Sequence, residues 1–155
     1  MNKERNKAVG AVYLFLIKEN KILLMRRKNT GYYDGCYSVP AGHIEEGELS
    51  TEALIRETKE EIGIDINAKN IEFAHVMYRT KHDDTGDRLD MFFITSEWIG
   101  EIQNCESHKC DEVIWFELDK LPKKMIPHVK YALMKYQNGI NFSELGISEI
   151  DNLNN

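Results

Sequence analysis

Residues 42–64 read GHIEEGELSTEALIRETKEEIGI, and the rest of the chain is read outward from them. The stretch holds seven glutamates, one arginine and three glycines. Glu57, Glu60 and Glu61 stand at i, i+3 and i+4, which on a helix places all three carboxylates on one side. Like charges that close repel, so the grouping costs stability unless a cation sits among them. Hard oxygen ligands are what Mg²⁺ and Mn²⁺ prefer. The competing reading is a solvated helix face with i to i+4 pairing, for which only Arg56 and Lys59 supply compensating charge.

Ser50 or Thr51 is the expected N-cap of this helix, Ile62 its end and Gly63 its stop. At about 100° per residue, Leu54, Ile55, Thr58 and Ile62 form an apolar stripe beside the carboxylates. One side then faces a core and the other a cleft. Ala53 falls on the carboxylate stripe, where its small size would leave room for a metal and a phosphate.

Upstream, Ala8 to Ile17 and Ile22 to Arg27 are apolar, strand-forming runs separated by Glu19-Asn20, which suggests a hairpin. NTGYYDG (29–35) reads as a loop, and Tyr37 to Val39 as a short strand stopped by Pro40. Downstream, Ile71 to Arg79 and Leu89 to Trp98 read as strands joined by a polar loop, KHDDTGDR. Glu112 to Leu118 is a further strand, and PHVKYALMKYQ (127–137) a second helix with proline at its start. Strands on both sides of a helix predict a mixed α/β sandwich. A single domain is expected over 1–140, with 141–155 a loosely held polar tail.

The 155 residues suit one core, and 42% hydrophobic with 30% charged residues is ordinary for a globular protein. No apolar run is long enough for a membrane span, and the charged start lacks a secretory signal, so a cytoplasmic protein is expected. The net charge of −6 argues against binding nucleic-acid polymers, but a bound divalent metal would still admit a small phosphorylated ligand. Cys36, Cys105 and Cys110 give no disulfide framework. Cys105, His108 and Cys110 lie close in sequence, yet their spacing matches no standard zinc pattern.

The pattern Gly42, Glu48, Arg56-Glu57, Glu60-Glu61, Gly63-Ile64 resembles the signature box of the Nudix hydrolase superfamily. Thr58 departs from it, standing where the family usually has an aliphatic residue. The likeness extends to Met25-Arg26-Arg27 at the end of the hairpin, to Pro40-Ala41-Gly42 at the entry to the box, and to Trp115-Phe116 through Leu121-Pro122. Residues 106–115 further resemble the MutT-related branch that cleaves nucleoside triphosphates.

The resemblance implies an α/β/α sandwich around a central mixed sheet and a Mg²⁺-dependent pyrophosphohydrolase, with Mn²⁺ as a substitute. It implies Glu57 and Glu61 as principal metal ligands, Glu60 sharing a site and the Ala41 carbonyl completing a shell. Glu106, with Glu112 behind it, is the expected later acidic ligand. Glu57 or Glu60 would serve the attacking water, Arg56 would orient a neighbouring glutamate, and Glu48 would support the loop-to-helix geometry. Arg27 and Arg26 are candidate phosphate contacts, and Gly42 a backbone position at the substrate. Tyr32, Tyr33 and Tyr37 could stack on a base or merely pack. His43 could approach a phosphate or be simply exposed. Asp83, Asp84, Asp87 and Asp90 could hold a second metal, although a solvated hairpin loop is the plainer reading.

The expected substrate is a nucleoside or deoxynucleoside triphosphate, oxidised ones included, cleaved to monophosphate and pyrophosphate by a monomer or homodimer. The alternatives are ADP-ribose or another nucleoside diphosphate derivative, or a ligand-sensing domain without turnover. Retention of Glu57, Glu60 and Glu61 favours an enzyme.

Overall fold

The computed structural model describes residues 3–80 and 84–155. β1 (Ala8–Lys18) and β2 (Lys21–Arg27) meet at Glu19-Asn20, both with positive φ. That is the turn whose twist matches a two-residue hairpin. Only Ile17 opposite Ile22 and Lys18 opposite Lys21 pair before the strands part. β2 continues against β3 (Tyr37–Ser38) and β7 (Cys110–Glu117). β1 continues against β4 (Ala41–His43) and, in parallel, β6 (Asp87–Thr95). β5 (Glu72–Arg79) joins β6 antiparallel and β8 (Phe142–Leu145) in parallel, so the sheet is mixed.

β1 is buried on both faces, which explains its unbroken apolar run. Val12, Leu14 and Leu16 pack toward Ala53, Leu54 and Ile62 of α1 (Ser50–Ile62). Tyr13 and Phe15 face the opposite way, with Val129, Ala132 and Leu133 of α2 (Pro127–Gln137) and Ile150 of α3 (Ile147–Asn154). Helices therefore cover both faces of a central mixed sheet, the α/β/α arrangement that was expected.

Three local expectations change. Leu49, not Ser50 or Thr51, is the N-cap residue, and the Glu52 carboxylate reaches back to accept from its N–H at 2.8 Å. Ala53 is fully buried in the core rather than on the carboxylate side, so it leaves no room for a metal. Residues 141–155 are not a loose tail: β8 pairs with β5, and Ile150 and Leu145 are buried. The periodicity of so short a strand and helix is masked by their polar residues.

Thr58 occupies its aliphatic position without an orphaned hydroxyl, donating to the Leu54 carbonyl at 2.7 Å. Asp90 also departs from the solvated-loop reading. It lies in β6, fully buried and bonded to Arg79, while Asp87 begins β6 and accepts from Asn6 and Tyr78. Asp83 lies outside the described residues.

His75 ties the C-terminal segment to the sheet. Its imidazole bonds the Ile140 carbonyl at 2.8 Å and the Ser143 hydroxyl at 2.7 Å. Burial lowers its pKa below the usual 6.5, so its contribution to stability is present above about pH 6.5 and is lost as pH falls through the depressed value. Amide-exchange protection of 142–150, corrected for intrinsic rates, should therefore fall between pH 7 and pH 5. His75→Leu should cost about 1–3 kcal/mol at pH 7 and flatten that dependence; unchanged protection in acid would contradict this role.

Candidate active site

The carboxylates of α1 meet the β3–β4 turn at a cleft of about 720 Å³. Glu57, Glu60, Glu61 and Glu106 line it together with Arg26, Arg27, Arg56, Ala41, Gly42 and His43. α1 packs on β1 through its apolar side, which aims the glutamates across β4. Gly63 ends the helix in the left-handed conformation, its N–H donating to the Lys59 carbonyl at 3.1 Å.

Glu61 is half-buried in the wall of the cleft. Its Oε2 accepts from the Ala41 N–H at 3.0 Å, so Ala41 enters the contact through its amide. Burial pushes the Glu61 carboxyl up to about 8; the Ala41 N–H opposes this, and the nearby charges of Glu57 and Glu106 add to it. Glu57 is also raised by burial. Arg56 works against that shift, and Glu60 and Glu106 work with it.

Arg56 organises the other side of the cluster. Its Nε and one terminal nitrogen grip Glu48 at 2.7 and 3.0 Å, and the other terminal nitrogen donates to Glu57 at 2.8 Å. It also donates to the His43 carbonyl at 3.1 Å and reaches Glu60 at 3.5 Å. The two-pronged bond to Arg56, helped by the Glu45 N–H, lowers Glu48 to about 2. Glu48 thus stays ionised and occupied, behind the cluster.

Gly42 has a steric reason for its identity. A Cβ there would overlap the Glu57 carboxyl group. Gly42→Ala should leave the fold within a few degrees in Tm, displace Glu57, and lower catalytic turnover at least about a hundredfold. Wild-type turnover in that variant would show that the close approach is dispensable.

Among the described residues, no three carboxylate, imidazole or thiol side chains converge into a ready-made cation site. The donor set nevertheless fits a hard divalent cation. Glu61 is a half-buried carboxylate in the same cleft as Glu57 and Glu106, and Arg56 is spent on Glu48 and Glu57. The charge state of Glu61 yields a test. A carboxyl raised from 4.5 to about 8 contributes stability fully below about pH 4.5 and loses it as pH climbs through 8. The metal-free protein should lose roughly 5–10 °C in Tm between pH 5 and pH 8.5. Mg²⁺ should restore most of it at the upper end, and Glu61→Gln should remove the slope. A slope that persists in Glu61→Gln would assign it elsewhere.

The remaining candidates are distributed unevenly. Arg26 is held by Asp111 at 2.7 Å, over the Tyr37 ring. Arg27 donates to the Tyr32 carbonyl at 2.8 Å and borders both the cleft and a smaller adjoining cavity. Glu112 bonds the Tyr37 hydroxyl and pairs with Arg26 at 3.6 Å, away from the cleft lining, which makes it a poor substitute for Glu106. Tyr33 bonds Asn154 in α3, Tyr37 packs on Phe116, and of the three tyrosines only Tyr32 lines the adjoining cavity. The cysteines are unbridged thiols, with Cys110 bonded to the Glu112 carbonyl.

Sequence reasoning missed the floor of that adjoining cavity. Arg79 of β5 and Asp90 of β6 form a buried ion pair at 2.5 Å, and the Tyr13 hydroxyl donates to Asp90 at 3.2 Å. His128 sits 3.4 Å from the same hydroxyl. The signal available was an arginine and an aspartate inside predicted strands, where isolated charges are rarely tolerated.

A family model for the NUDIX domain matches residues 5–136. The chain belongs to the Nudix family. It is 36% identical over 124 residues to an ADP-ribose pyrophosphatase of Methanocaldococcus jannaschii, covering 79% of this chain and 70% of that protein. It is 29% identical over 86 residues to an 8-oxo-dGTP diphosphatase of Proteus vulgaris, covering 55% and 72% respectively. In fold, this Nudix chain resembles the MutT Nudix hydrolase of Burkholderia pseudomallei, with a TM-score of 0.75 at 22% identity, covering 83% of this chain and 98% of that one. Among the described residues, no helix is long and apolar enough to cross a membrane.

Proposed function

We propose that this Nudix hydrolase cleaves the bond between the α and β phosphates of a nucleotide, using Mg²⁺ or Mn²⁺. The observation that carries the reading is Glu61, which lines the cleft with Glu57 and Glu106 and, among the described residues, has no cationic side chain bonded to it. Glu57 and Glu61 would be the principal ligands, with Glu60, Glu106 and the Ala41 carbonyl available to complete the shell. When bound, the cation supplies neutralisation of phosphate charge and a more acidic water.

The chain's own residues do the rest. Arg56 fixes the Glu57 carboxylate in place, and Glu48 fixes Arg56. Glu57 and Glu60 stand where a carboxylate could accept the proton of the attacking water. Arg27, which borders both cavities, would hold a phosphate oxygen, with Arg26 behind it. Gly42 lets its backbone approach Glu57 closely and would leave room there for the substrate.

A nucleoside triphosphate is the favoured substrate, because the polar cleft adjoins a smaller cavity of about 290 Å³, lined by Ala11, Tyr32 and Val129, that would take a base. The likeness to an archaeal ADP-ribose pyrophosphatase favours ADP-ribose as a second reading. A panel of triphosphates and ADP-ribose with and without Mg²⁺ separates them: triphosphates should release monophosphate and pyrophosphate. Glu57→Gln and Glu61→Gln should each lower kcat by about 10²–10⁴-fold. No metal-dependent turnover of any nucleotide would refute the reaction, and faster turnover of ADP-ribose would favour the second reading.

A further inference from the structure

The cavity of about 290 Å³ beside the carboxylate cleft is floored by a polar group that the phosphate chemistry does not use. Arg79 is 3% exposed and lines it. A guanidinium carries five N–H donors. Asp90 accepts two of them, at 2.5 and 3.4 Å, and Tyr32 lines the cavity beside Arg79. Among the described residues, the other N–H groups of Arg79 have no side-chain acceptor. Among the described residues, none of the side chains lining the cavity is a carboxylate, since Asp90 lies behind the lining.

The charge of Arg79 is cancelled at contact by Asp90, so the floor offers donor direction without net charge. The remaining positive charge of the lining is that of Arg27 and Arg88, so a phosphate would be drawn to them and leave the neutralised pair at the floor to another group. Ala11, Ile126 and Val129 supply apolar walls, and Tyr32 an aromatic one. Flat apolar walls around a donor-rich floor suit a heterocycle whose edge presents oxo or ring-nitrogen acceptors. Arginine makes such a contact to the O6 and N7 of guanine in other settings. Adenine and cytosine present an amino group along the same edge, which would set donor against donor and leave Arg79 unsatisfied in a buried site.

Resting on the reading of this protein as a nucleotide hydrolase, we propose that Arg79, held by Asp90, selects keto bases, guanine, hypoxanthine, uracil and thymine, over adenine and cytosine. Tyr13 bonds Asp90 from the other side, and it and Asp90 are positioning residues. The selection distinguishes triphosphates of keto bases from ADP-ribose, whose base is adenine.

Calorimetric binding of GMP, UMP, AMP and CMP to the metal-free protein tests this independently of hydrolysis. GMP and UMP should bind at least about tenfold tighter than AMP and CMP, and kcat/KM for the triphosphates should follow the same order. Arg79→Lys keeps a cation beside Asp90 but loses the planar fork, and should shrink the preference to under about threefold. If that variant does not fold, the ranking of bases by the wild type decides alone. Equal binding, no binding of any monophosphate, or a preference for AMP overturns the proposal. Keto-base preference without turnover removes the hydrolase reading and leaves base selection standing. Turnover without base preference does the reverse.

Discussion

A carboxylate half-buried beside two others is unstable unless positive charge or hydrogen bonds are supplied, and Glu61 of α1 has one backbone N–H. The rest of the site can be understood as a response to that constraint. α1 is anchored by burying Ala53, Leu54, Thr58 and Ile62 against β1, which holds Glu57 and Glu61 at the cleft while Glu60 stays largely exposed. β4 then closes over it, and Gly42 is bare because the Glu57 carboxyl occupies the space of a side chain. Arg56 relieves Glu57 and is itself fixed by Glu48. Glu61 keeps its deficit, and a raised pKa is how a carboxyl expresses such a deficit when no cation is bound.

The central strand explains how this local strain is tolerated. β1 is buried on both faces and pairs with β2, β4 and β6, so both cores hold it. Val12, Leu14 and Leu16 carry α1, while Tyr13 and Phe15 carry α2. Tyr13 lies one residue from Val12, yet it reaches Asp90 on the opposite face. A single strand therefore supports the carboxylate cleft on one side and the cavity floor on the other. The functional groups of both sites are thus carried by one strand packed on both faces.

The acidic helix was legible in the sequence because its information is local: spacing of 3 and 4 residues, an apolar stripe, a glycine stop. The same holds for β1, whose continuous apolar run signals burial on two faces. What was illegible depends on distance. Arg79 and Asp90 are eleven residues apart across a loop, and only the antiparallel pairing of β5 with β6 brings them together. Asp90, read among its acidic neighbours, looked like loop chemistry. Ala53 was misplaced because a helical wheel assigns faces but not the width of the buried arc, and here that arc includes Ala53. The C-terminal strand and helix were missed because β8 spans only four residues, too few for a period to emerge.

Two arginine–glutamate or arginine–aspartate pairings flank the same turn, and their differences indicate different work. Arg56 is half-exposed and outnumbered by acids, so its donors are consumed and the surplus beside it is negative. Arg79 is buried and matched to one acid, so its charge is consumed and the surplus beside it is N–H donors. A surplus of anionic oxygen calls for a cation. A surplus of neutral donors calls for acceptor atoms held in a plane. A nucleotide complexed with Mg²⁺ carries both, its metal-bound phosphates at one end and, for a keto base, an acceptor edge at the other. The arginines of the two cavities are thus not redundant phosphate clamps: Arg27 stands between them, and the electrostatics on its two sides are of different kinds.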